Sequence, residues 1–465
     1  MRSQLIGKDI VIEGPFGPQP MLYADYVASG RALEGVEMAV LRQVLPVYAN
    51  SHTEASYCGA RITTLRRAAR ARVAQLCGAG AEHAVIFTGS GATAGLNRLV
   101  HLLGVDRAVA SGQGATVLIG PYEHHSNILP WRESGARVVE IPEAATGGPD
   151  MAALDAALAG ATGLVVGSFS AASNVTGITT DVVAVTRRLK AAGALAVWDY
   201  AGGGPYLPIA MTPAPDAPID AISASPHKFL GGPGASGLLI LRRDAVATGV
   251  PTFPGGGTVR FVSPSVHDYL SDVVEREEAG TPNIVGDIRA ALAFEVKDAV
   301  GPAEIARRNA AFAVRGLAAF AAAPRIRLLG NPTCARLPIF SFIVTDGAGD
   351  LVNPQLATRM LSDGFGIQAR GGCACAGPYG HRLLEIDAET SAAMRAAVLA
   401  GDTVNKPGFV RLNFSYLMSD AEVDRIIAAV LALPAFIDRY AHLYAYDAGA
   451  GVFEPVDEVR SASGF

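Results

Sequence analysis

The sequence predicts an α/β fold: a mainly parallel sheet covered on both faces, followed by a second, smaller α+β domain. Three observations predict it. Short apolar runs recur along the first two thirds of the chain without polar alternation, as strands buried on both faces require. Longer stretches with cap and stop residues separate them, the pattern of covering helices. From about residue 295 the texture changes to Ala-rich helical sequence with fewer strand-like runs.

In chain order, Ala84 to Thr88 (AVIFT) reads as the first buried strand, and ATAGLNRLVHLLG after it as a helix ending at Gly104. Ala115 to Gly120 (ATVLIG) is the next strand and runs into a polar loop, PYEHHSN. GARVVEI and GLVVGSF are further strands. TTDVVAVTRRLKAAG reads as a helix with Thr179 or Thr180 as cap and Gly193 as stop. ALAVWDY is a strand that ends in an acid, Asp199; AISAS and GASGLLILRR follow as strands. Beyond them RRNAAFAVRGLAAFAAA is helical, IFSFIV and FVRLNFS are strand-like, and DAEVDRIIAAVLAL is a helix. The expected organisation is an N-terminal segment over residues 1–20, a large domain over 21–290, a smaller one over 291–446, and a polar, flexible tail over 447–465.

Bulk properties narrow the class. At 465 residues the chain can bury a large core. Hydrophobic residues make up 50% and charged ones 17%, which suits a well-buried enzyme or a sizeable subunit interface. A formal charge of -5 argues against nucleic acid or an acidic membrane surface as partner. No run approaches the ~18 uninterrupted apolar residues of a membrane span, and the start, MRSQLIGKDIVIEGPFGPQP, does not read as a signal peptide. Five cysteines, an odd number scattered over a long chain, argue against a disulfide scaffold, so a cytoplasmic setting is expected.

Open parallel sheets bind ligands beyond the carboxyl ends of their strands. The first strand is followed there by GSGAT (Gly89 to Thr93), which opens a helix. Its free N–H groups and hydroxyls suit a phosphate. The same run satisfies G-x-G-x-x-A, so a dinucleotide site and a plain tight turn remain open at this point. After the second strand come His124 and His125, each of which alone reads as readily as a core or capping histidine. Asp199 ends its strand; a buried carboxylate there is costly unless it caps a turn or meets a cation. Lys228 follows AISAS, in SASPHKFLGG, between His227 and Phe229 in mostly apolar company unusual for a surface lysine. One sheet edge thus gathers a phosphate cradle, a histidine, an acid and a lysine. Pyridoxal 5'-phosphate uses all four: a phosphate, a flat ring that stacks, a ring nitrogen kept protonated by an acid, and an aldehyde that forms a Schiff base with lysine. An apolar setting favours the neutral amine that must attack.

YADYVASG, SHTEAS, GSGATAGLN, EHHSNILPW, SNVTG, WDYAG, SPHKFLGG, EAGTPN, RGGCAC and VRLNFS follow one another over about residues 20–435. In that order and spacing the chain resembles the class V aminotransferase-fold enzymes, above all the cysteine desulfurase and selenocysteine lyase group. The resemblance implies a fold-type I architecture with a mainly parallel seven-stranded sheet, and a homodimer. It implies that Lys228 carries the cofactor, that His124 stacks on the ring and handles protons, and that Asn174 lies near the ring oxygen. Asp199 would pair with the ring nitrogen and Ala201 would pack on the other ring face. Gly91, Ala92, Thr93, Ser225 and His227 would surround the phosphate, and Thr281 would reach the phosphate of the other subunit. Arg411 would hold the substrate carboxylate as a bidentate partner, with Asn174 and Arg370 beside the substrate, and Cys375 would accept sulfur.

The chain departs from that pattern in three places. Gly202 stands where desulfurases carry a glutamine, Ala92 replaces a common threonine, and Cys373 adds a thiol two residues before Cys375, as in the desulfurase domain of molybdenum cofactor sulfurases. Cys58, Cys77 and Cys334 read as core or half-buried residues. Cys373 and Cys375 lack a second matching pair of ligands, so no metal site is expected. The reading is a cysteine desulfurase that converts L-cysteine to alanine and a persulfide on Cys375, passing sulfur to an acceptor protein. A C–S lyase, selenocysteine lyase, epimerase or aminotransferase of the same fold is the near alternative. A nicotinamide dehydrogenase would need an acid at the end of ATVLIG, where the chain has Gly120 and Pro121. An inert sulfur-transfer scaffold would bind no cofactor.

Overall fold

A computed structural model describes the whole chain except residues 51–53, 403, 405, 450 and 457–465. The first three residues of SHTEAS and the end of the expected tail therefore lie outside the described residues. Packing divides the chain into two units: residues 29–173 with 179–304, and residues 1–28 with 174–178 and 305–465.

The larger unit is built on a sheet of seven strands among the described residues. They are β1 (His83–Gly89), β2 (Ala115–Ile119), β3 (Arg137–Glu140), β4 (Leu164–Ser170), β5 (Leu195–Asp199), β6 (Ala221–Ala224) and β7 (Gly237–Arg242). Their spatial order is β1-β7-β6-β5-β4-β2-β3. The neighbours from β6 through β3 run parallel, while β7 is antiparallel to both β1 and β6. Successive residues feed opposite faces. Val85, Phe87, Trp198 and Ile240 enter one core cluster, and Ala84, Ile86, Val197 and Leu239 the other. Burial on both faces explains the uninterrupted apolar runs. Three helices of this unit matter below: α1 (Tyr57–Leu76), α2 (Gly91–Leu102) and α3 (Ile284–Val300). The helix expected from TTDVVAVTRRLKAAG begins at Val182, and its cap is Asp181 rather than Thr179 or Thr180. The Asp181 carboxylate accepts the Ala184 N–H at 2.9 Å, a stronger capping acceptor than a threonine hydroxyl.

The smaller unit carries β8 (Ile326–Leu328), β9 (Ile339–Val344), β10 (Arg370–Gly372) and β11 (Phe409–Asn413), ordered β8-β9-β11-β10 and antiparallel throughout. Its membership is not a simple C-terminal block. Leu22–Tyr23 pairs in parallel with Ile367–Gln368, and Ala24 O accepts the Asn413 N–H at 2.8 Å. These backbone bonds draw the first 28 residues into this unit. The long helix α4 (Asp420–Tyr440) passes, by length and composition, as a membrane span. Its apolar stripe, Val423, Ile426, Val430, Leu433 and Ile437, is buried, as on a core helix. Where the expected tail begins, the strand Tyr444–Asp447 pairs antiparallel with Val452–Pro455.

Candidate active site

In the larger unit the predicted residues converge on the carboxyl ends of the central strands. Asp199 is the last residue of β5, and β6, its parallel neighbour, leads directly into Ser225, His227 and Lys228. Asp199 is 3% exposed. Burial pushes its carboxyl above the ordinary range, while the Ala201 N–H, donating at 2.7 Å, and the Lys228 charge pull it back. Burial, then the Lys228 charge, holds the His227 imidazole down at about 4.

The start of α2 forms the cradle. Gly91 has φ +59°, and a Cβ there would stand 2.9 Å from the His227 ring and 3.0 Å from Ser225 Oγ. Only glycine fits such a left-handed position in so confined a space. Ala92 is buried, and its N–H donates to Ser225 Oγ at 2.9 Å. Thr93 is exposed, with its Oγ1 2.7 Å from Ser126 Oγ. Ser126 in turn lies 3.0 Å from His124 Nδ1, and its backbone N–H donates to that same nitrogen at 3.1 Å. Nδ1 is therefore an acceptor, and neutral His124 carries its proton on Nε2. His124 is thus also the cap of a short helical turn.

Sequence reasoning passed over Glu123, in the motif beside His124. Its carboxylate accepts from Ser170 N–H (2.8 Å), Ser170 Oγ–H (2.5 Å) and Asn127 Nδ2–H (2.6 Å). It ties the His124 loop to the carboxyl end of β4. Burial pushes this carboxyl up to about 7 against its three donors, and the nearby Asp199 charge pushes the same way. The folded state therefore holds a proton to higher pH than the unfolded chain, and stability from this group is lost as pH rises through about 7. The melting temperature of the wild type should thus fall, relative to Glu123→Gln, between pH 5 and pH 8. A difference that does not move with pH would refute the assignment.

Thr281 is exposed in the loop before α3. That loop is pinned at both ends. The Glu278 carboxylate accepts from Arg66 (2.5 Å), Arg70 (2.7 and 2.8 Å) and the Phe87 N–H (2.8 Å), with both arginines one turn apart on α1. Asn283 caps α3 through the Gly286 N–H.

The smaller unit holds the remaining predicted residues. Arg370 and Arg411 stand opposite each other on β10 and β11. Asp25 bridges them, accepting from Arg370 Nε and Arg411 Nη2, each at 3.0 Å. Arg411 is buried and its Nη1 also donates to the Asn174 carbonyl at 3.1 Å. Asp25 lies in the YADYVASG motif, yet its partnership with two arginines several hundred residues away leaves no local signal. Asn174 Nδ2 donates to Ala374 O at 2.8 Å, while its buried Oδ1 has no partner among the described residues. Cys373 and Cys375 are both exposed. Of the other thiols, Cys58 is half-buried and Cys77 and Cys334 are buried; burial pushes Cys77 up to about 12, which leaves it inert near neutrality. Among the described residues no cluster of three or more metal-ligating side chains occurs.

Comparison with known proteins adds an independent line. The family model "Aminotransferase class-V" matches residues 22–426. A probable cysteine desulfurase of Vibrio cholerae is 28% identical over 435 residues, covering 92% of this chain and 96% of its own. A cysteine desulfurase of Pectobacterium atrosepticum is 29% identical over 316 residues, covering 67% and 75% respectively. Among solved structures, the cysteine desulfurase CsdA of Escherichia coli aligns with a TM-score of 0.70 at 24% identity, covering 93% of this chain and 97% of its own, a likeness of fold.

Proposed function

Because the chain belongs to the aminotransferase class-V family, we propose that it is a pyridoxal-phosphate-dependent cysteine desulfurase that moves sulfur from L-cysteine onto Cys375. The observation that carries the reading is the set of groups at the carboxyl ends of β5 and β6. Buried Asp199 ends β5, and Lys228 lies in the short helical turn that follows its parallel neighbour β6, beside a cradle that a Cβ at Gly91 would fill. The donor set fits the cofactor. Gly91, Thr93, Ser225 and His227 would hold its phosphate, Asp199 its protonated ring nitrogen, and His124 and Ala201 its two ring faces. When bound, pyridoxal phosphate supplies an aldehyde that condenses with amines and a ring that accepts the electron pair released at the substrate Cα.

The chain's own residues do the rest. Lys228 holds the cofactor between turnovers and moves the Cα proton. Asp199 stabilises positive charge at the ring nitrogen. Arg411, oriented by Asp25, holds the substrate carboxylate, with Arg370 adding positive charge nearby. The Cys375 thiolate attacks the substrate sulfur; the Cβ–S bond breaks, an S–S bond forms on Cys375, and protonation of the carbon skeleton leaves alanine.

The reading also takes the protein to be a homodimer, in which Thr281 serves the other subunit's phosphate. The exposure of Thr281 supports it, as do the exposed Phe261, Val262 and Val266 around one hairpin. An acceptor protein would then collect the sulfur.

The experiment that tests the function is a visible absorption spectrum of the purified protein, followed by assay of alanine formed from L-cysteine. A cofactor band and alanine support it; a colourless protein after incubation with pyridoxal phosphate refutes it. Arg411→Ala should mainly raise KM, with a loss of about 2–5 kcal/mol for a buried charge partner, and Arg411→Lys should recover only part of that. Unchanged kinetics with L-cysteine would remove Arg411 from the substrate site.

A further inference from the structure

The segment Cys373-Ala374-Cys375-Ala376 is a tight reversal. The Ala376 N–H donates to Cys373 O at 3.2 Å, and the two central residues, Ala374 and Cys375, have φ of 51° and 54°. Two successive non-glycine residues in the left-handed region are uncommon and unfavourable, so the surroundings must hold the turn. Asn174 does so through its bond to Ala374 O. The consequence falls on the two thiols. Residues two apart lie at most about 7 Å apart when fully extended, and a turn shortens that into the ~4.4–6.8 Å that a disulfide spans. Cys373 and Cys375 are also the exposed thiols of this chain, the other three being buried or half-buried.

We propose that Cys373 is a resolving thiol that discharges the sulfur carried by Cys375. The proposal rests on the desulfurase reading, which supplies the persulfide. The Cys373 thiolate attacks Sγ of the Cys375 persulfide. The bond between that Sγ and the outer sulfur breaks, and a Cys373–Cys375 disulfide forms. The electron pair of the broken bond leaves with the outer sulfur as hydrosulfide. Cys373 is oxidised and the outer sulfur reduced, so the persulfide itself is the oxidant. A dithiol reductant returns the pair to two thiols before the next cycle. The site thereby switches between two outcomes. With an acceptor docked the sulfur is transferred as such, and without one it is released as sulfide.

The test uses full-length, cofactor-loaded protein, reduced, freed of reductant and given one equivalent of L-cysteine per protomer. Alanine, free sulfide and the alkylated peptide containing both cysteines are then measured. Wild type should yield alanine and sulfide in equal amounts, with a peptide two hydrogens lighter that resists alkylation until a dithiol is added. Cys373→Ser should yield alanine but little sulfide, and its peptide should carry one extra sulfur on Cys375. Wild type that keeps the extra sulfur on Cys375, or shows it on Cys373, would overturn the proposal while leaving the desulfurase reading intact. Absence of alanine from both proteins would overturn that reading, and the proposal with it.

Discussion

Lys228→Ala is expected to abolish turnover of L-cysteine. Under the proposed function the lysine would have two tasks, holding the cofactor between turnovers and moving the Cα proton, and alanine can do neither. The loss should amount to many orders of magnitude and should not be rescued by raising the substrate concentration, because the barrier to chemistry rises rather than the affinity falling. The fold should survive. Lys228 is only half-buried, at the end of a short helical turn whose Lys228 and Phe229 N–H groups bond to backbone carbonyls of Ser225 and Pro226. Borohydride reduction of the wild type should fix the cofactor to the peptide containing Lys228. Attachment to buried Lys297, whose ammonium donates to the Gly204 carbonyl at 2.6 Å, or to any other lysine, would show the assignment to be wrong.

The second large effect is expected at Cys375. Cys375→Ser should bind pyridoxal phosphate as the wild type does and should still change its visible spectrum on addition of L-cysteine, since neither event needs the loop thiol. Alanine formation should fall by several orders of magnitude. A serine hydroxyl is a poor nucleophile toward sulfur and is not ionised near pH 7, whereas the thiolate is the reactive form of cysteine. Cys373→Ser should retain alanine formation in the first turnover. If alanine survives in Cys375→Ser and vanishes in Cys373→Ser, the two thiols have exchanged roles. A lyase would show neither loss, because it expels the leaving group without an acceptor thiol.

The sheet was legible in the sequence because its strands are buried on both faces. AVIFT, ATVLIG and GLLIL are continuous apolar runs for that reason, and the structure puts their alternate residues into two different cores. Lys228 and Asp199 were legible because each is a polar group at the end of such a run, where it needs a chemical explanation. The groups that hold the other site residues in place were not. Glu123 reads as an ordinary loop acid until β4 brings Ser170 to it. Asp25 reads as part of the large domain over 21–290 until backbone pairing with residues 366–368 and 413 carries it to Arg370 and Arg411. Long-range pairing of short strands has no periodic signal in either partner. The same holds for the left-handed turn at Ala374 and Cys375, because neither residue type announces a positive φ.

The central claim is that the chain removes sulfur from L-cysteine and leaves the carbon skeleton as an amino acid. Following carbon-13-labelled L-cysteine by NMR in the presence of the cofactor-loaded protein and a dithiol tests it most directly. The expected product is alanine, formed in step with sulfide and lost in Lys228→Ala. Pyruvate and ammonia in place of alanine would contradict the claim, because they would mean that the C–S bond breaks by elimination and that Cys375 takes no part in it.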